Sequence, residues 1–105
     1  MVQELKLADD LWPSLVSGDK TVTIRAGHRA IARGELVFEA VNSGERFPVT
    51  VVSVTHKKLG MLTDAEAQKD GAANAAEMEL AMSRFYPDID GESDITIIEY
   101  RGRAE

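Results

Sequence analysis

The sequence predicts an α+β fold: a small mixed β-barrel of about five to six strands, covered by two to three short helices. Three observations predict it. Five stretches of strand length (2–8, 21–25, 35–41, 47–55 and 94–101) alternate apolar and polar residues or are rich in β-branched side chains. Helical spacing follows cap-like residues at three other places, near 9, 63 and 74. The chain of 105 residues is read as one domain, 1–105, with room for a single hydrophobic core, so short strands must twist around that core rather than extend.

Taken in order, strand 2–8 rests on a loose alternation that ends in Leu5 and Leu7. Asp9 or Asp10 then caps a helix whose apolar face is Leu11, Trp12, Leu15 and Val16; Pro13 is tolerated in its first turn, and Gly18 stops it. In strand 21–25, Val22 and Ile24 share one face, read as buried. Thr21, Thr23 and Arg25 share the other, read as equipped for chemistry. Segment 26–34 has two glycines and no period, so it reads as a loop with room for one helical turn. Strands 35–41 and 47–55 flank a turn at Asn42, Ser43, Gly44 and Glu45. The second of them is apolar on both faces, which places it mid-sheet.

Two helix starts follow. Thr63 and Glu66 make a capping box, and Asn74 and Glu77 make its Asn variant. Gly71 closes the first helix and Pro87 the second, which is expected to bury Met78, Ala81, Met82 and Phe85. An acidic loop leads to strand 94–101, with Ile95 and Ile97 opposed to Ile98 and Tyr100. The predicted order is β-α-β-β-β-α-α-β.

With 44% hydrophobic and 29% charged residues, the composition is that of a folded chain. No apolar run reaches the roughly 20 residues of a membrane helix, and the first residues lack a signal-peptide core, so a cytoplasmic location without membrane contact is expected. There is no Cys, and His28 and His56 show no ligand spacing, so neither a metal nor another cofactor is expected. The net charge of −6 argues against a non-specific polyanion binder. Yet Lys20, Arg25, Arg29 and Arg33 lie in a stretch free of acids, while 64–105 holds eleven acids against four bases.

The chemistry concentrates after Gly18. Within six residues a turn and a strand carry an amine (Lys20), two hydroxyls (Thr21, Thr23) and a guanidinium (Arg25). An amine beside a hydroxyl can generate a nucleophile without histidine, provided the amine is neutral. A Lys pKa must fall by about 3 units for that, at roughly 4 kcal/mol. Lys20 and Thr23 are three apart, so on one regular strand they would face opposite ways; Lys20 therefore belongs to the turn with Asp19. On these residues alone, Lys20 reads as a solvated turn lysine and Thr23 as a surface strand residue.

The pattern Gly18-x-Lys20-Thr21-x-Thr23-x-Arg25 resembles the G-x-K-T-x-T-x-R signature of the ASCH domain, a small barrel similar to the PUA domain. The resemblance continues through Gly34-Glu35, Leu62-Thr63, Asp70-Gly71, Phe85-Tyr86-Pro87 and the closing Ile97-Ile98-Glu99-Tyr100, over essentially the whole chain. Among chains of this length it is similar to the bacterial N4-acetylcytidine amidohydrolases. That likeness implies a monomeric hydrolase that cleaves the acyl amide on the exocyclic nitrogen of a small nucleoside. In that group a Lys, a Thr and a Glu act together. The Lys matches Lys20 and the Thr matches Thr23. The third position falls on Asp70, where Asp stands in place of Glu and reaches one methylene less far; Glu66 is the alternative. The implied roles are Lys20 as base, Thr23 as nucleophile, Asp70 as orienting group and Arg25 as substrate-binding group.

The rival expectation is an RNA-binding PUA-like module or a ribonuclease using the same basic cleft, with Arg25, Arg29, Arg33, Lys57 and Lys58 along a backbone. Against it, Trp12, Phe38, Phe47 and Phe85 read as core rather than as a stacking platform, and His28 and His56 as ordinary loop or strand-end residues.

Overall fold

Five strands form one mixed sheet in the computed structural model of the protein, which describes residues 3–18 and 20–102. They are β1 (Gln3–Leu7), β2 (Val22–Ala26), β3 (Gly34–Ala40), β4 (Arg46–Lys58) and β5 (Asp94–Gly102). Their spatial order is β1-β3-β4-β5-β2, with β1 and β3 parallel and the other three pairs antiparallel. The sheet curls into a half-barrel carrying three helices, α1 (Trp12–Ser17), α2 (Asp64–Lys69) and α3 (Ala75–Phe85), which is the PUA-like α+β arrangement. The order of elements agrees with that read from the sequence. Val2 and Asp19, assigned above to the first strand and to the turn, lie outside the described residues.

Apolar residues collect in two clusters rather than in one core. Leu5, Leu7, Leu15, Leu36, Phe38, Val49, Val51, Ile98 and Tyr100 form the first. Val22, Ile24, Ile95 and Ile97 pack against Leu59, Leu62, Ala67, Met78 and Met82 in the second, beneath α2 and α3. β5 belongs to both, because successive side chains leave a strand on opposite faces. Ile95 and Ile97 enter the helical cluster, and Ile98 and Tyr100 enter the other. The expectation of a single core overlooked this second face.

Several local expectations are corrected. Neither Asp9 nor Asp10 caps a helix: a 3-10 turn, Asp9–Leu11, precedes α1 and has no side-chain cap. The Asp9 carboxylate instead accepts from the backbone N–H groups of Asn42 (2.9 Å) and Ser43 (3.2 Å), tying the start of α1 to the β3–β4 turn. Of the proposed face of α1, only Leu15 is buried; Trp12 packs on the cluster edge, while Leu11 and Val16 are exposed. No helical turn forms in 27–33, and Val41 lies in the turn after β3. β4 runs to Lys58, and an irregularity between Val51 and Ser53 shifts its register on β5. β4 sits mid-sheet between β3 and β5, as its apolar residues on both faces predict. Phe85 is 78% exposed, contrary to its place in the predicted helix core.

Both helix starts behave as read. Thr63 and Glu66 exchange the two bonds of a capping box, and the Asn74 side chain accepts from the Glu77 N–H. These caps fix where α2 and α3 begin; α2 closes at Asp70, whose N–H donates to Ala67 O.

Candidate functional site

Gly18 begins the site. It takes φ +88°, a left-handed conformation that side chains disfavour, and it ends α1. The chain then turns inward: the Lys20 N–H donates to Ser14 O at 3.0 Å and the Thr21 N–H to Lys69 O at 3.2 Å. The turn is thus clamped between the first turn of α1 and the end of α2. Lys20 is consequently buried, with 2% of its surface exposed, and the reading of a solvated turn lysine is overturned.

The Lys20 amine is held by acceptors. It donates to Val22 O at 2.9 Å and more weakly to Asp70 O at 3.4 Å, and it forms an ion pair with the Asp70 carboxylate. Asp70 caps the C-terminal end of α2, where unpaired carbonyls favour a cation. Burial first, then the Arg25 guanidinium, push the amine down from 10.5 to about 7. The Asp70 carboxylate acts in the opposite sense by favouring the ammonium.

Thr23 and Arg25 share a face of β2, as the alternation requires, but that face is not open. Thr23 is buried, as are Val22 and Ile24 on the other side, so β2 is covered on both faces. Arg25 Nε donates to Thr23 Oγ1 at 3.1 Å, which leaves the hydroxyl proton of Thr23 free for another acceptor. Arg25 Nη2 is buried with no hydrogen-bond partner. Burial, then Arg29, lower the pKa of Arg25, but a guanidinium remains cationic near neutrality.

Lys20, Thr23, Arg25 and Asp70 all line one cavity of about 680 Å³. Its walls are mainly apolar, with Leu7, Ile24, Met78 and Met82 inside and Leu11, Val41, Phe85 and Tyr86 among the more exposed lining residues. A second cavity of about 130 Å³ touches Lys20 and Asp70 together with Ser14. Glu66, the alternative third position, is not among the lining residues; it is bonded to Lys57 Nζ (3.0 and 3.2 Å) and to its own capping box. Among the described residues no three His, Cys, Asp or Glu side chains gather as a metal site. His28 and His56 stack ring on ring at 3.7 Å, and His56 Nδ1 lies 3.2 Å from Thr96 Oγ1, an arrangement with no signal in the sequence.

No family model matches the chain, and no curated protein sequence does either. Solved structures do. A protein from Enterococcus faecalis V583 of the family DUF984 superposes with a TM-score of 0.82 at 12% identity, over 98% of this chain and 77% of that one. An ASCH domain from Lactobacillus crispatus JV V101 superposes with a TM-score of 0.72 at 11% identity, over 95% and 79%. This chain has the ASCH domain fold. A Zymomonas mobilis ASCH protein, solved as its S128A mutant, aligns with this chain at a TM-score of 0.65 and 15% identity, over 93% and 66%. The likeness establishes architecture; what this chain does rests on the chemistry of its cavity.

Sequence reasoning missed the apolar lining from distant segments: Leu7, Leu11 and Val41 at one side, Phe85 and Tyr86 at another. The one available signal was the aromatic pair placed directly before Pro87, at a helix end where the periodic face stops.

Proposed function

We propose that this ASCH domain is an amidohydrolase that removes the acyl group from the exocyclic N4 of N4-acetylcytidine and related N4-acylcytosines, giving cytidine and acetate. The observation that carries the reading is a buried amine, brought to about 7, at the wall of an apolar cavity beside a hydroxyl and a guanidinium whose Nη2 has no hydrogen-bond partner. The cavity is of the size that holds a small ligand of nucleoside dimensions.

In this mechanism neutral Lys20 takes the proton of Thr23, directly or through one water, and Oγ1 attacks the acyl carbonyl. The carbonyl electron pair moves onto oxygen, where Arg25 Nη2 supplies the donor it now lacks a use for. The C–N bond then breaks, the proton on Lys20 passes to N4, and cytidine leaves an acyl ester on Thr23. Water adds to that ester and gives its proton to Lys20; the C–Oγ1 bond then breaks, Lys20 returns the proton to Thr23 Oγ1, and acetate leaves. Asp70 holds the amine in place throughout, and the small cavity lined by Lys20 and Asp70 has room for the water.

An RNA-binding role draws less support, because several of the cations it needs are already engaged. Lys57 pairs with Glu66, Lys58 with Asp94, and Arg29 Nε donates to Ala26 O. Incubating the protein with N4-acetylcytidine is expected to give cytidine and acetate in equal amounts, and Lys20→Met or Thr23→Val to give neither. Tight binding or cleavage of a short RNA oligonucleotide, without deacylation, would overturn the proposal.

A further inference from the structure

We infer that Phe85 and Tyr86 form a wall on which the planar ring of the ligand stacks, and that this wall selects compounds borne on a flat heteroaromatic ring. The inference deepens the deacylase reading and rests on it for the identity of the ring. Phe85 is the last residue of α3, and its spacing of three from Met82 and seven from Met78 would bury it. Instead its ring is 78% exposed, the most exposed of the large hydrophobic side chains among the described residues. Tyr86, next to it, is 39% exposed.

Successive residues of a helix point about 100° apart, so two consecutive rings do not normally serve one surface. Here both line the same cavity, because the backbone leaves the helix at Tyr86 (φ −131°, ψ 83°). Met78 and Met82 continue this wall inward with polarisable thioethers that pack well on aromatic faces. Tyr86 also lies within electrostatic reach of Arg25, which ties the wall to the charged end of the cavity. A ring laid on Phe85 and Tyr86 removes apolar surface from water and adds face-to-face or edge contacts that every nucleobase can make. An aliphatic amide with the same acyl group would still reach Lys20 and Thr23 but would leave the wall bare.

Cytidine, the product, tests the wall without any chemistry. Calorimetric titration of cytidine into the native protein, Phe85→Tyr, Phe85→Leu and Phe85→Ala is expected to show affinity kept by Tyr and lowered on the order of tenfold by Leu and Ala. Thermal unfolding should not shift, since an exposed ring contributes little to packing. In kinetics, Phe85→Leu should raise KM for N4-acetylcytidine with kcat little changed, and leave turnover of N-butylacetamide unaltered. Equal cytidine affinity in all four proteins would overturn the inference, as would a change confined to self-association in sedimentation. Deacylation by the native protein with Phe85→Leu indistinguishable from it would sink the wall alone. Phe85-dependent cytidine binding without any deacylation would sink the deacylase reading and leave the wall standing.

Discussion

At the scale of single residues, the proposed deacylation places both reactivity and pH response on Lys20. An ordinary lysine is almost wholly charged at neutral pH, whereas an amine held near 7 is substantially neutral there. The rate of deacylation is therefore expected to rise with pH through about 7 and then level, as the neutral base accumulates; a pH profile of kcat/KM checks it. Replacing Asp70 with Asn removes the carboxylate that favours the ammonium, so the acid limb should move to lower pH. The same amine affects stability. Between about 7 and 10.5 the unfolded chain holds a proton that the folded chain lacks, so this group makes stability rise with pH across that window. Its cost is fully present below 7 and gone above 10.5, and is roughly 5 kcal/mol at most, before the opposing pull of Asp70 is counted. Denaturant titrations at pH 7 and 9.5 should show this slope in the native protein and a flatter one in Lys20→Met. Thr23→Val keeps the volume but leaves Arg25 Nε without its acceptor, a loss of about 1 kcal/mol that the fold should survive.

At the scale of elements, the site depends on how three short segments end. α1 ends at Gly18 in a left-handed conformation, and Gly18→Ala should cost about 1–2 kcal/mol there, although no atom crowds the new methyl. Because Lys20 follows two residues later, activity should fall by more than this stability loss explains; comparing kcat/KM with denaturant midpoints separates the two. α2 is set at its other end by the Thr63 and Glu66 capping box, and Thr63→Ala should cost about 1 kcal/mol, seen as faster amide exchange across 64–69. These ends were legible because caps and helix-stopping glycines act locally, within three or four residues. The start of α1 was not legible: Asp9 looks like a cap in sequence, yet its carboxylate serves Asn42 and Ser43, more than thirty positions away. The end of α3 was misread for a similar reason. Helical spacing says which residues share a stripe, but it does not say which of them other segments cover, and Phe85 is left exposed.

At the scale of the whole molecule, β5 joins the two apolar clusters into one structure. Ile97→Ala and Ile98→Ala empty space on opposite faces of the same strand, and each should cost about 2–4 kcal/mol. Both should lower one cooperative unfolding transition, since a strand cannot leave one cluster while remaining in the other; two separable transitions in denaturant would contradict this. The sequence by itself determined the class of fold, the order of its elements, the caps of α2 and α3, and the grouping of Lys20, Thr23 and Arg25 around one turn and strand. All of these follow from periodicity and from contacts a few residues apart. Only the tertiary structure decided that Lys20 is buried rather than solvated, that Asp70, fifty positions away, and not Glu66 is its partner, and that Phe85 lines the cavity. Burial is set by what other segments place on a side chain, and it is burial that turns an ordinary lysine into an amine near 7.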